Sequence, residues 1–310
     1  MLDPFGYEFF VNGVIAATLA GALCGLVGVY IVLRHMSYIG HGLAHSVFGG
    51  AVVSQFVVFN VIFAGAAVGS VGQEGLGETY LLLGAITWGF LTALAITLIT
   101  RLRIIGADAA IGIITTASFA LGIALISYTR SFRDFEAQLF GNILGVTAAD
   151  LVTIMVVTVV TGGVFLVWYK QFLFSAFEPD VAGFYGVPTW FTDTIFSLVL
   201  AATIVASLDV LGVTMIAAAI VIPPIIARLL TNRFRTMMVL STVTGAFCGF
   251  GGVYASWVLD ISTGASVVLF SSVLFLLTLA YSNLRGLVKS GSSGGERTEE
   301  RRQSQAVAFD

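Results

Sequence analysis

The stretch Arg34–Ala64, RHMSYIGHGLAHSVFGGAVVSQFVVFNVIFA, opens with polar and imidazole side chains and continues from Val47 as an apolar run suited to a membrane span. The protein has three histidines, and all of them, His35, His41 and His45, fall inside this stretch. On a helix His41 and His45 stand one turn apart on the same face. Two imidazoles so placed can share a borderline metal ion such as zinc, manganese, iron or nickel. They can equally be buried side chains hydrogen-bonded to a neighbouring helix, the commoner use in a water-soluble protein. Within a membrane the balance turns, because an ionisable group there is costly and marks a substrate or ion path.

The remainder of the chain supplies that membrane. Of 310 residues, 58% are hydrophobic and 10% charged, and the mean hydropathy is +1.00. A water-soluble domain cannot cover itself with so little charge. Apolar runs near 11–33, 38–62, 80–100, 109–128, 150–169, 189–208, 210–231, 237–258 and 265–284 each match a hydrocarbon core roughly 30 Å thick. The expected fold is therefore an all-α polytopic membrane protein of eight or nine spans, with residues 1–289 forming the membrane domain and 290–310 a disordered tail rich in Ser, Gly, Glu and Arg. The 35 glycines suit close helix packing in lipid. Cys24 and Cys248 lie in apolar runs and form no CxxC pair, so they read as packing residues. The first ten residues carry no Lys or Arg, and the first span is expected to remain in the mature protein.

With the N-terminus outside, nine basic residues (Arg34, Arg101, Arg103, Lys170, Arg228, Arg233, Arg235, Arg285 and Lys289) fall in inner segments and two (Arg130 and Arg133) in outer ones. That asymmetry orients the chain. Gly69–Thr79, Gly-rich and acidic, is expected to be an outer loop, and Ser131–Gly145 a short interfacial helix. Pro223-Pro224 removes two backbone donors and is expected to kink or break its helix. In the inner loop Lys170–Pro188, Pro179 starts a short helix, Asp180 favours its first turn, and Gly186 ends it. Such a segment is either a docking element for a cytoplasmic partner or an amphipathic loop lying on the bilayer.

Several chemistries are missing. A zinc protease would need His-Glu-x-x-His, but Gly42 follows His41 and no base stands nearby. No phosphate-binding loop of the form GxxxxGK[ST] occurs, so the chain is not an ATPase by itself and is not expected to be an enzyme. The acids within reach of the spans, Asp108, Asp150, Asp193, Asp209 and Asp260, all lie near span ends. What remains is a membrane path and one metal-like pair without an energy source.

Six stretches resemble, in order, the permease subunit of the ABC transporters that import zinc, manganese and iron in bacteria and archaea. They are GVYIVLRHMSYIGHGLAHSVFGG (28–50), DAAIGI (108–113), LFGNILGV (139–146), FEPDVAGFYGV (177–187), VLGVTMIAAAIVIPPIIA (210–227) and DISTGA (260–265). The resemblance implies an importer permease in the plasma (inner) membrane, homodimeric, served by a separate ATP-binding ABC subunit and an extracellular metal-binding protein. It implies no permanently bound cofactor and no nucleic-acid partner. His41 and His45 become the metal-passing pair, and Glu178, Asp180, Ala182 and Gly186 belong to a cytoplasmic coupling helix that rests on the ATPase. The family often has Asp at the position of His41, whereas His45 matches. Four imidazoles from two protomers suit zinc better than manganese, since oxygen-rich sites favour the harder ion. His35 falls off the face of the pair and is expected at the membrane surface. A stand-alone secondary carrier of divalent metals is the alternative.

Overall fold

In a computed structural model the described residues are 4–36, 38–57, 73–101, 105–129, 141, 143–177, 188–284. They form ten α-helices: α1 Glu8–Leu33, α2 Tyr38–Val57, α3 Gln73–Arg101, α4 Ala107–Thr129, α5 Ala148–Val167, α6 Tyr169–Phe177, α7 Thr189–Leu211, α8 Val213–Leu230, α9 Phe234–Leu259 and α10 Thr263–Leu284. There is no strand among the described residues. Every expected span overlaps one of the long helices, residues 58–62 of the second span lying outside the described residues. Eight of the helices are long and apolar enough to cross a membrane. The ninth long helix, α2, is not among those eight, because its histidines and small polar residues dilute its apolar stretch.

Contacts along the helices fix their directions. On α1 and α9, Gly21 meets Gly245, Ala17 meets Gly249 and Ser241 donates to the Gly25 carbonyl, so the two run antiparallel. Gly42 and Gly49 of α2 face Thr115 and Ser118 of α4 in ascending order, a parallel pair. Ser46 and Ser54 face Thr92 and Gly84 of α3 in opposite order. Burial then sorts centre from rim: 72% of the apolar stretch of α1 and of α7 is buried, against 17% in α5 and 22% in α10.

One end of the bundle gathers three connections. Arg34, in the α1–α2 turn, reaches Asp193 at the start of α7. Tyr169 and Phe177, at the two ends of α6, both contact Phe234 at the start of α9. Arg34, Lys170, Arg233 and Arg235 all lie in or beside these connections, so four basic residues gather at one end.

Four expectations are revised. Residues 170–177, read as the start of the inner loop, belong to helix α6. Residues 73–79, read as loop, are the opening turns of α3, since Gln73 and Glu74 favour helix once a long apolar run follows them. Of the expected interfacial helix 131–145, residues 131–140 and 142 lie outside the described residues, and Ile143–Gly145 is a single 3-10 turn that buries Ile143 against Gly13 of α1. Of the kink or break expected at Pro223-Pro224, the break is absent, since α8 runs from Val213 to Leu230. Pro224 leaves the Ile220 carbonyl without its helical donor. At that carbonyl α1 presents Gly28, where any Cβ would collide with it, so close packing holds the helix through the proline pair. The runs 189–208 and 210–231 are separate helices divided at Gly212, whose φ of 74° suits glycine.

Candidate functional site

His41 and His45 lie in the first half of α2, beyond a tight turn. At the end of α1 the Met36 amide bonds the Ile31 carbonyl at 3.1 Å and the His35 amide bonds Val32 at 3.2 Å, a Schellman closure. The residue in the left-handed conformation is His35, with φ 55°, where glycine is usual. His35 is exposed there, as its place off the pair's face requires, and its local task is to end α1. The Ile39 amide then bonds the Met36 carbonyl at 2.9 Å and α2 begins without slack.

The imidazoles of His41 and His45 meet edge to face, with ring centroids 4.5 Å apart and planes at 78°. Tyr38 flanks His41 at 5.6 Å, and Phe119 of α4 closes on His45 at 4.7 Å. Both histidines are half-buried. His45 Nδ1 is itself buried and has no hydrogen-bond partner among the described residues. A polar nitrogen held so without a partner is costly, and an ion that accepted its lone pair would remove that cost. Among the described residues no third His, Cys, Asp or Glu joins the pair in a metal-binding group. One chain therefore offers two nitrogens, fewer than the four ligands usual for zinc.

Directly after His45 comes a hydroxyl cluster that the sequence did not reveal. Ser46 Oγ lies 2.7 Å from Thr92 Oγ1 of α3 and donates to Ser118 Oγ of α4 at 3.0 Å. The indole N–H of Trp88 donates to the same Ser118 Oγ at 2.6 Å. Ser46, Thr92 and Ser118 are all buried. Three helices are thus joined by side-chain hydrogen bonds one residue from the imidazole pair. Serines and threonines are too common in spans for their sequence to announce this; the signal available is the Trp88 indole, which needs an acceptor when shielded from water.

Three other acids have structural places of their own. Asp150 forms a reciprocal capping box with Thr147 at the start of α5, its Oδ2 accepting the Thr147 amide at 2.8 Å. Asp260 ends α9 in the left-handed conformation. Asp193 pairs with Arg34 at 2.7 Å, a contact across 159 residues that no local pattern shows. Glu178, Asp180, Ala182 and Gly186 lie outside the described residues, as does the tail 290–310; α6 and α7 flank the former segment.

A model of the ABC 3 transport family matches residues 6–282 of this chain. The chain belongs to the ABC 3 transport family. It is 31% identical over 284 residues to the manganese transport system membrane protein MntC of Listeria monocytogenes, covering 92% of this chain and 94% of that relative. To the chelated iron transport system membrane protein YfeC of Yersinia pestis it is 28% identical, covering 93% and 91%. A solved structure of PsaBC from Streptococcus pneumoniae in complex with Fab superimposes with a TM-score of 0.73 at 30% identity, over 88% of this chain and 91% of that one. Membership makes the molecule a multi-pass transport subunit, and the ABC 3 match spans every described helix bearing the imidazole pair and the hydroxyl cluster.

Proposed function

We propose that this chain is the permease of an ATP-driven importer of divalent transition metal ions, manganese or zinc, and that the ion passes the His41–His45 pair. The observation that carries the proposal is the buried, partnerless Nδ1 of His45 beside a second imidazole. The relatives named for manganese and iron support a metal cargo. The basic end of the bundle faces the cytoplasm by the positive-inside rule, and the segment 178–187 at that end docks on a separate ATPase. The pair is completed by His41 and His45 of a second copy, giving four imidazoles near a dimer axis. Metal released by an extracellular binding protein meets the imidazoles, ATP-driven closure of the ATPases moves the coupling segments, and the two permease halves rock to release the ion inward. Imidazole in place of the family's frequent carboxylate favours zinc over a harder ion.

The test is uptake by proteoliposomes holding the permease, its ATPase and its binding protein. His45→Ala should lower manganese and zinc uptake at least about tenfold, since even the loss of an outer-shell partner of a metal ligand has an effect of that size. Assembly should stay unchanged. His41→Asp should keep transport and move preference toward manganese. Uptake by His45→Ala equal to the parent's would route the ion elsewhere, and uptake without ATP would favour a secondary carrier.

A further inference from the structure

The node at the basic end does work that neither the imidazole pair nor the membrane requires. Tyr30, in the last turn of α1, is fully buried. Its hydroxyl donates to Ser175 Oγ of α6 at 3.1 Å, and its ring packs on Phe172 at 5.1 Å and Phe196 at 4.4 Å. Arg34 caps α1, lies 5.3 Å over the Tyr30 ring and places Nη1 2.7 Å from Asp193 Oδ1 in α7. The two charged side chains are only 20% and 11% exposed. A shielded ion pair is weak evidence for stability, because apolar side chains of similar volume hold two helices at no greater cost. What the pair does show is one defined contact geometry between the end of α1 and α7.

That geometry links two specific places. Ser175 stands just before residue 178 and Asp193 shortly after residue 187, so α6 and α7 are the two arms of the segment assigned above to the ATPase. Arg34 begins the closed turn that leads into α2, and the histidines follow within the first turns of that helix. Each arm thus touches the end of α1 directly, α6 through the Tyr30–Ser175 hydroxyl contact and α7 through the Arg34–Asp193 ion pair.

We propose that Arg34, held by Tyr30 and Asp193, is a positioning residue that transmits displacement of the coupling arms to the histidine helix. The inference rests on the importer function proposed above. It predicts separable defects: with the pair broken, ATP is still hydrolysed but fewer ions cross per ATP.

The experiment measures uptake and ATP hydrolysis on the reconstituted complex of permease, ATPase and binding protein, using manganese and zinc chlorides. Arg34→Ala and Asp193→Ala should each keep hydrolysis within about twofold while uptake per ATP falls about tenfold, the size of coupling expected between groups in direct contact. The exchanged double variant Arg34→Asp with Asp193→Arg should recover much of the ratio. Arg34→Lys retains charge and assembly but loses the planar stacking on Tyr30; it should give an intermediate ratio, and it serves if the alanine variants do not assemble. An unchanged ratio in Arg34→Lys and Arg34→Ala, or a parallel fall of hydrolysis and uptake, would overturn the proposal and leave the pair as a packing contact. Failure of the parent complex to move either metal would instead overturn the importer function itself.

Discussion

Two seams of this bundle use the same device for different ends. Along α1–α9, Gly21 and Gly245 bring backbone against backbone, and the bond across the seam runs from the Ser241 hydroxyl to the Gly25 carbonyl at 2.6 Å. Along α2–α4, Gly49 and Gly122 also allow close approach, but there the Ser118 hydroxyl, which reaches the Ser46 carbonyl, also joins a side-chain network of Ser46 with Thr92 and Trp88 of α3. The first seam joins shape to a single hydroxyl-to-backbone bond, the second joins shape to a network of polar side chains from three helices. Polar pairs in a span are worth only about 0.6 kcal/mol on average, so they are not needed for adhesion. Their placement beside the imidazoles points to the holding of a site.

The largest break of this comparison is Gly245→Leu. A Cβ there meets the Gly21 carbonyl and backbone, which cannot rotate away, so the helices must part. The expected loss is about 3 kcal/mol or more, seen as failure to elute as a folded species from detergent. A variant that elutes normally would show that the α1–α9 seam yields. Next comes Ser118→Ala, which strips the Trp88 indole and the Ser46 hydroxyl of their shared partner. It should cost about 1–2 kcal/mol in thermal unfolding, with metal uptake falling more than the loss of folded protein explains. If uptake only tracks folded protein, the two seams are alike. The smallest effect is His35→Gly. Relief of a left-handed non-glycine residue is partly offset by the freer unfolded chain, so a gain of at most about 1 kcal/mol is expected, with uptake unchanged.

The helices were legible in the sequence because apolar length alone forces them. The pairing of His41 with His45 was legible because helical spacing does not depend on neighbours. What stayed hidden depends on distant contacts. Asp193 looked like one more acid near a span end, and its ion pair with Arg34 closes 159 residues of chain. Ser46, Thr92 and Ser118 carry no pattern until three helices bring them together. Local rules also lost to tertiary packing at Pro223-Pro224, where the closeness of Gly28 favours a continuous helix. The start of α3 was missed because Gly75 and Gly77 suggested a loop that the following apolar run overrides.

The α1–α9 contacts have a consequence for how the bundle finds its alignment. Ala17, Gly21 and Gly25 face Gly249, Gly245 and Ser241, so small residues recur every four positions on both helices. A vernier with identical teeth does not choose its own setting. Sliding α9 by one turn, about 6 Å at 1.5 Å per residue, would again put small residues against small ones. The setting is chosen at the ends: Trp257 closes on Phe10 at 5.2 Å and on Tyr7 at 5.9 Å, and a slipped α9 would carry the indole a full turn past both rings.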